Sequence, residues 1–476
     1  MALTISVQDL VANSANPLLK IRPHWSRVRL GAIGSVLNGA PFKSEQFSRE
    51  VGMPLIRIRD VGRSSTDTKY VGDFDERYVV RAGDLLVGMD GDFHCARWCG
   101  EPGLLNQRVC KVTVDEAVYD HRFLDCVLPA YLRAINEATS SVTVKHLSSR
   151  SIEDIPLPLP PKEEQRRVAD EIEKQFSRLD EAVANLQRVK QRLKAYKQSV
   201  LDAAIAGRLV GSDSVESTAG GEHGSAGESF RESVYWARRV NWPKGIKFNE
   251  PAQPDQRLNL TVPNNWAKVS WEAVLAPEEG AFKRGPFGSA LTKAMFVSSG
   301  YKVYEQYCPI NDDCSFVRYY ITPEKFEEMK GFAVQAGDFL ISCSGVTLGR
   351  ITRVPEKFNP GVINQALLRV RLNVAVMDPQ FFIVLFRSPR FQSFIFDRTA
   401  GAAIPNVRGV GDLKSIPVPV PPLAEQHRIV AEVDRRLSIV RGVEAEVDAN
   451  LKRAQSLRQA VLANAFAAPE TAHATA

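Results

Sequence analysis

The sequence predicts an α+β protein built twice. Two globular domains of mixed α/β content are separated by two long antiparallel helices forming a coiled coil, with a pseudo-twofold internal repeat. Three observations predict this. A Pro-rich segment recurs at a constant distance, heptad-spaced apolar residues follow each copy, and a looser match links the stretches that precede them.

The repeat is the primary signal. Ile155-Pro-Leu-Pro-Leu-Pro-Pro161 followed by Glu164-Gln165 returns as Ile416-Pro-Val-Pro-Val-Pro-Pro422 followed by Glu425-Gln426, a constant offset of 261. The same offset links Gln198-Ser-Val-Leu201 to Gln459-Ala-Val-Leu462. A constant offset means no insertion interrupts either copy, as a continuous helix requires, because one added residue rotates its buried face by about 100°. Upstream the offset drifts: Gly83-Asp-Leu-Leu86 matches Gly337-Asp-Phe-Leu340, Leu105-Asn-Gln107 matches Ile363-Asn-Gln365, and Trp25 pairs with Trp266. Drift places insertions in loops between shared framework pieces. The Arg57 to Tyr78 region has no recognisable counterpart, so one frame is expected to carry two different contents.

Proline lacks the amide donor and restricts its predecessor, so each Pro-rich segment reads as a rigid extended connector. Heptad spacing follows. In the first copy the expected packing seam is Val168, Ile172, Phe176, Leu179, Val183, Leu186, Leu193 and Val200. In the second it is Ile429, Val433, Leu437, Val440, Val447, Leu451, Ala454, Leu457 and Val461. The basic run Arg188 to Lys194 reads as a solvated helix face. Each helix of about 45 residues is roughly 65 Å long, and its natural partner is the other copy's seam. The second helix must run back to cover the first, because the second globular domain begins near the first helix's far end.

The expected division is 1–155, a globular domain; 156–210, hinge and first helix; 211–262, linker and strap; 263–416, a second globular domain; 417–468, hinge and second helix; and 469–476, a tail. Gly211 to Glu228 is Gly/Ser-rich and expected to be mobile, whereas Ser233 to Pro263 reads as an ordered strap. In the globular parts, Leu55-Ile-Arg-Ile-Arg59 and Leu368-Arg-Val-Arg-Leu372 alternate like half-buried strands with Arg on the outward side. The Gly-Asp and Asn-Gln pairs belong to the repeated frame and read as turn geometry.

Composition narrows the function classes. A chain of 476 residues exceeds one ordinary core. A net charge of +6 permits nucleic-acid contact without demanding it, so clustering of Lys and Arg decides. Seven scattered cysteines without a CxxC pair fit neither a disulfide framework nor a zinc ribbon. His94, Cys95 and Cys99 supply three ligands with no second pair, so no metal is expected. The N-terminus shows no basic region followed by an apolar block, and Phe381–Phe386 is too short to span a bilayer and reads as buried core. A reduced, cytoplasmic setting is expected.

Catalytic signatures are missing. The sequence has no phosphate loop, no Asn-Pro-Pro-aromatic motif, no cofactor-binding glycine loop after a strand, and no HExxH or His/Ser/Asp constellation. Glu328-Met-Lys330 reads as a chance likeness to a nuclease site. No catalytic residue is therefore assigned. Side chains that read DNA belong in the nonrepeated parts, where Lys43, Arg57, Arg59, Arg63 and Lys69 are candidates in the first domain and Lys283, Arg284, Lys293 and Lys302 in the second. Arg grips guanine bidentately, whereas Lys more often meets phosphate. Two other classes compete with this reading: a coiled-coil scaffold, and a stand-alone DNA-acting enzyme with an unrecognised site.

The Gly83–Phe93 segment, Leu105-Asn-Gln-Arg108, the two Pro-rich segments with Glu-Gln heading long helices, and the Glu250-Pro251…Pro254-Asp255 strap together resemble the specificity (S) subunits of Type I restriction-modification systems. The resemblance implies that each globular half is a target-recognition domain reading one half of a bipartite, asymmetric double-stranded DNA site. It implies two modification (methyltransferase) subunits that bind S-adenosylmethionine and methylate adenine. Restriction subunits using ATP and Mg are a further implied partner. The S subunit itself contributes target choice, a spacer and a dock, with no cofactor of its own.

Overall fold

In the computed structural model of the protein, the structure describes residues 6–14, 16–139, 145–210, 225–287, 290–343, 345, 347–396 and 407–466. The chain divides into two compact units, Met1–Gln187 with Asp448–Ala476, and Arg188–Val447. Each unit therefore owns one globular part, the beginning of one long helix and the end of the other.

In the first unit, four antiparallel strands lie in the order Gly34–Asn38, Val109–Val114, Leu85–Gly88, Cys95–Arg97. Leu85–Gly88, an inner strand, is buried along its whole length, and a tight turn leads into it. Gly83 sits at φ +95°, a conformation that costs glycine little, and the Asp84 carboxylate accepts the Arg81 amide at 2.9 Å to close the turn. Helix His121–Ala138 covers this sheet, capped by Asp120, whose carboxylate accepts the Arg122 and Phe123 amides. Its buried face, from Phe123 to Ile135, packs with Leu85, Val87, Cys110 and Val112. A second sheet of five short strands runs Phe47–Ser48, Lys69–Tyr70, Met53–Ile56, Gly103–Leu105, Val79–Val80, with one parallel pairing, Leu55 opposite Leu104.

The second unit repeats this plan. Phe282–Arg284, Leu367–Val370, Phe339–Ser342 and Ile351–Arg353 form the four-stranded sheet in equivalent order. Gly337 at φ +84° and Asp338, which accepts the Gln335 amide at 2.8 Å, rebuild the same turn. Tyr320–Ile321, Tyr301–Tyr304 and Gly361–Ile363 form the smaller sheet, and Val303 opposite Val362 repeats the parallel pairing. Phe381–Phe386 lies in helix Pro379–Arg387, buried as expected. Asn106 and Asn364 are also turn residues, their side chains accepting the amides of Gln107 and Ala366.

The Pro-rich segments are more than connectors. Pro156–Leu159 pairs antiparallel with Ser26–Arg29, and Pro417–Val420 pairs antiparallel with Ala267–Ser270. Proline at alternate positions suits a strand bonded along a single edge, because the residues between the prolines keep their donors. Each segment then enters a 44-residue helix, Lys162–Ile205 or Leu423–Phe466.

The two helices pack antiparallel within each unit. In the first, Arg22 binds Glu164 at 3.0 Å and the Ala465 carbonyl at 3.1 Å, whereas Asp180 meets Arg458 at 2.7 Å. In the second, Lys197 pairs with Glu444 at 2.7 Å, and Val200, Ala204 and Ile205 share a core with Ile429 and Val433. Val168, Ile172, Val200, Ile429, Val433, Val440, Val447 and Ala454 are buried. Phe176, Leu179, Val183, Leu186, Leu193, Leu437, Leu451 and Val461 are half-buried. Leu457 departs from the expected seam: it is 51% exposed. Beside it the exposed Arg458 lies over the Phe176 ring at 4.2 Å, and Phe466 packs against Trp25 and Phe123.

Three further expectations are corrected. Arg369 and Arg371 do not face outward; Arg371 Nε binds Asp338 at 2.7 Å, Arg371 Nη1 binds Glu278 at 2.8 Å, and Arg369 Nη2 donates to the Gly280 carbonyl at 2.8 Å. Their strand is buried along Leu367–Val370, so the Arg heads are buried with carboxylates and carbonyls as partners. The first-domain run ends as strand at Ile56, and Ile58–Asp60 is a tight 3-10 turn. The strap opens as helix Ser225–Val240, so Ser225 to Glu228 of the expected mobile stretch is helical; residues 211–224 lie outside the described residues, as does the tail from 467. Arg238 anchors this helix by donating to the Leu275 and Ala276 carbonyls.

Candidate nucleic-acid interface

The candidate side chains of the first unit gather on its smaller sheet and the turn beside it. Arg57 begins the 3-10 turn, its amide donating to the Asp60 carboxylate at 3.0 Å, and Asp60 is buried beneath. This turn projects Arg59 and Arg63, both exposed, within a few residues of Arg57. Arg59 is restrained by Asp67 and by Thr68 Oγ1 at 3.2 Å. Hydrogen bonds from Thr68 and then Arg59 hold the Asp67 carboxyl below its ordinary range, so the pair stays charged at neutral pH. Lys69 donates to the Glu50 carbonyl at 3.0 Å. Lys43 is exposed beside Phe42, whose ring meets Tyr70 at 4.8 Å.

In the second unit the candidates part company. Lys293 is exposed on a 3-10 turn, Lys293–Met295. Lys283 lies over the Phe332 ring at 5.0 Å, and Arg284 over the Phe287 ring at 5.1 Å. Lys302 is corrected: it is 0% exposed, and its ammonium donates to the Cys314 carbonyl at 2.5 Å. Burial lowers its pKa. The register explains the misplacement. Lys302 pairs with Tyr320 and Gly361 in the strand equivalent to Met53–Ile56, so it belongs to the shared frame rather than to the differing content.

The structure adds surface residues that the search for Lys and Arg alone passed over. Phe287 is 66% exposed beside Arg284. Arg318 lies 5.7 Å from the Phe316 ring and 5.8 Å from the Tyr319 ring, while Phe316 stacks on Tyr307 at 4.0 Å. The signal was available in Phe316-Val-Arg-Tyr-Tyr320, where aromatics flank a basic residue. In the first unit Arg108 and His146 converge on Asp90, with the His146 ring at 2.7 Å and Arg108 Nε at 3.5 Å.

Among the described residues no group of three or more His, Cys, Asp or Glu is placed to hold a metal ion, and no helix is long and apolar enough to cross a membrane. What the two units present is a basic, partly aromatic surface in each, mounted on equivalent frames.

Comparison with known proteins gives the family. The model of the Type I restriction modification DNA specificity domain matches residues 23–195 and again 292–447. The chain is 33% identical over 476 residues to the Type I restriction enzyme EcoBI specificity subunit of Escherichia coli, covering 99% of this chain and 92% of that one. It is 20% identical over 452 residues to the MjaVIII specificity subunit of Methanocaldococcus jannaschii, covering 92% and 93%. A chain solved in work on complex assembly and conformational transition of the type I R-M system shares the fold, with a TM-score of 0.60 at 16% identity over 94% of this chain and 98% of that one. The two relatives are specificity subunits of Type I restriction enzymes. The present chain belongs to the Type I restriction-modification specificity-subunit family.

Proposed function

We propose that this chain selects the DNA sequence on which a Type I restriction-modification complex acts. Each globular part reads one half of a bipartite, asymmetric site in double-stranded DNA. The helices dock two modification subunits, which carry S-adenosylmethionine and methylate adenine. Restriction subunits using ATP and Mg join in systems that cleave. The chain contributes no catalytic group or cofactor of its own, and it works in the cytoplasm.

One observation carries this reading. The same frame occurs twice, down to the Gly-Asp turn and the Asn turn, while the exposed basic and aromatic side chains on it differ. Equivalent frames with unlike surfaces suit two unlike half-sites. In the first unit Arg57, Arg59 and Arg63 are the candidates for base edges and Lys43 and Lys69 for phosphates; in the second, Arg284 and Arg318 take the first role and Lys283 and Lys293 the second.

The test replaces residues 263–416 with the equivalent region of a relative of different specificity. Methylated DNA from cells carrying the hybrid and its methyltransferase is then sequenced. One half of the methylated motif is expected to change while the other stays; persistence of both halves overturns the assignment.

A further inference from the structure

The strand register of the two smaller sheets makes the units comparable residue by residue. Ile56 lies opposite Leu105 in a parallel pair, and its carbonyl accepts the Asn106 amide at 3.2 Å. Tyr304 lies opposite Ile363 in the same way, and its carbonyl accepts the Asn364 amide at 3.0 Å. Ile56 and Tyr304 therefore hold one position of the shared frame. Four residues on, the match persists. The amides of Asp60 and Cys308 return to the carbonyls of Arg57 and Glu305 at 2.8 and 3.1 Å, and both side chains are buried. The residues between are then equivalent in pairs: Arg57 with Glu305, Ile58 with Gln306, and Arg59 with Tyr307.

Where the first unit projects two guanidinium groups from this turn, the second offers a carboxylate and a phenol ring. The carboxylate of Glu305 is engaged by Arg318, 3.9 Å away. Tyr307 opens helix Tyr307–Asn311 and is 37% exposed; Ile310, one helical turn further on the same face, is 36% exposed. Phe316 stacks on the Tyr307 ring at 4.0 Å and 28°, which holds the ring without covering it. Neither Tyr307 nor Ile310 carries the paired donors by which Arg grips guanine. The apolar group that a base edge displays in the major groove is the 5-methyl of thymine, and an apolar side chain is what meets it.

We infer that Tyr307, with Ile310 beside it, is a specificity-determining contact of the second unit and takes the 5-methyl group of a thymine in that unit's half-site. Given the proposed recognition role, on which this assignment rests, the two half-sites are read differently at corresponding places. One turn carries an arginine fork suited to guanine, and its counterpart carries an apolar face suited to thymine.

The half of the methylated motif that changes on exchange of residues 263–416 is the second unit's half-site. Duplexes in which each thymine of that half is replaced singly by uracil, which lacks only the methyl group, are titrated against the full chain assembled with its methyltransferase. One replacement is expected to weaken binding about fourfold, the effect of one buried methyl group. Tyr307→Ala is expected to bind the thymine duplex and that uracil duplex alike. Tyr307→Phe is expected to keep the fourfold difference, because the ring and not the hydroxyl makes the contact. A half-site without an A·T pair, the absence of any uracil penalty, a penalty that survives Tyr307→Ala, or one that vanishes in Tyr307→Phe overturns the assignment. A complex that binds all duplexes alike defeats the recognition role itself, so persistence of sequence preference tells the two failures apart.

Discussion

Gln165, near the start of the first long helix, accepts a hydrogen bond from the amide of Asp120 at 2.7 Å, and Asp120 is the residue that caps helix His121–Ala138. The same carboxamide donates to the carbonyls of Val118 and Pro160 at 3.1 and 2.9 Å. In the second unit Gln426 repeats all three bonds, accepting from Asp378 at 2.7 Å and donating to Val376 and Pro421 at 2.9 and 2.8 Å. Both glutamines are fully buried, so each amide has exchanged water for a set of backbone partners. They lock a long helix to the capped end of a domain helix.

The glutamine contacts predict a measurable cost. Gln165→Leu strands the Asp120 amide and two carbonyls, and an unsatisfied buried polar group costs about 1–3 kcal/mol. A loss of that order is expected in urea unfolding, and Gln426→Leu is expected to match it. An unchanged midpoint for either variant refutes the role given to that side chain.

The buried Arg371–Asp338 pair gives a second prediction. Asp338 is 2% exposed, and Arg371 binds it through Nε at 2.7 Å. Removing one partner leaves the other charge buried, a change of about 3–5 kcal/mol. Arg371→Leu is expected to destabilise the chain by that order in chemical denaturation, far more than Arg63→Leu on the surface. Equal small effects refute the buried assignment.

Packing along the helices is expected to be uneven. Ile172 and Ile429 are buried against globular cores, so Ile→Ala at either costs about 2–5 kcal/mol. The exposed pair Asp180–Arg458 contributes about 0.2–1 kcal/mol, measured as the coupling in a double-mutant cycle. Leu457→Ala is expected to leave the unfolding midpoint almost unchanged.

Glu432 supplies a prediction in pH. Hydrogen bonds from Arg435 and Arg436 hold its carboxyl down to about 2. A folded pKa below the unfolded one means the contribution is fully present above the ordinary glutamate value of 4.5 and is lost as pH falls through about 2. Carbon NMR titration of this carboxyl is expected to show a flat response between pH 7 and 4. A midpoint near 4.5 contradicts the geometry.

If Lys293 contacts phosphate as proposed, Lys293→Ala is expected to lower the dependence of log affinity on log salt by about 0.9, similarly for all DNA sequences. Fluorescence titration across a salt series with the assembled methyltransferase reads this, and an unaltered slope removes Lys293 from the interface.

How much of this was legible depended on whether a signal was local. Heptad spacing and the offset of 261 survive in sequence because helices tolerate no insertion, and Val168, Ile172, Ile429 and Val433, which that spacing singles out, are buried. The Gly-Asp turns were legible for a similar reason, since positive φ and a side-chain acceptor demand particular residues. Pairing across a sheet leaves no such local trace. The alternation in Leu368–Leu372 is the same whether Arg meets water or a buried carboxylate, and Asp338 lies 33 residues before Arg371. Lys302 was misread because its frame strand shares register with Met53–Ile56 but no residue identity. Leu457 fits the heptad yet is 51% exposed, because heptad spacing marks a face of the helix and not how far along it the covering neighbour reaches.

The pairing of Ser26–Arg29 with Pro156–Leu159, and of Ala267–Ser270 with Pro417–Val420, has a topological consequence. The chain enters and leaves each globular part through neighbouring strands, as a drawer slides in and out by one opening. Two ends already side by side need only a short peptide to join them, so circular permutants closed at either doorway should keep their register. The same closeness makes each part portable, because a foreign insert with equally adjacent ends meets a socket that does not have to stretch.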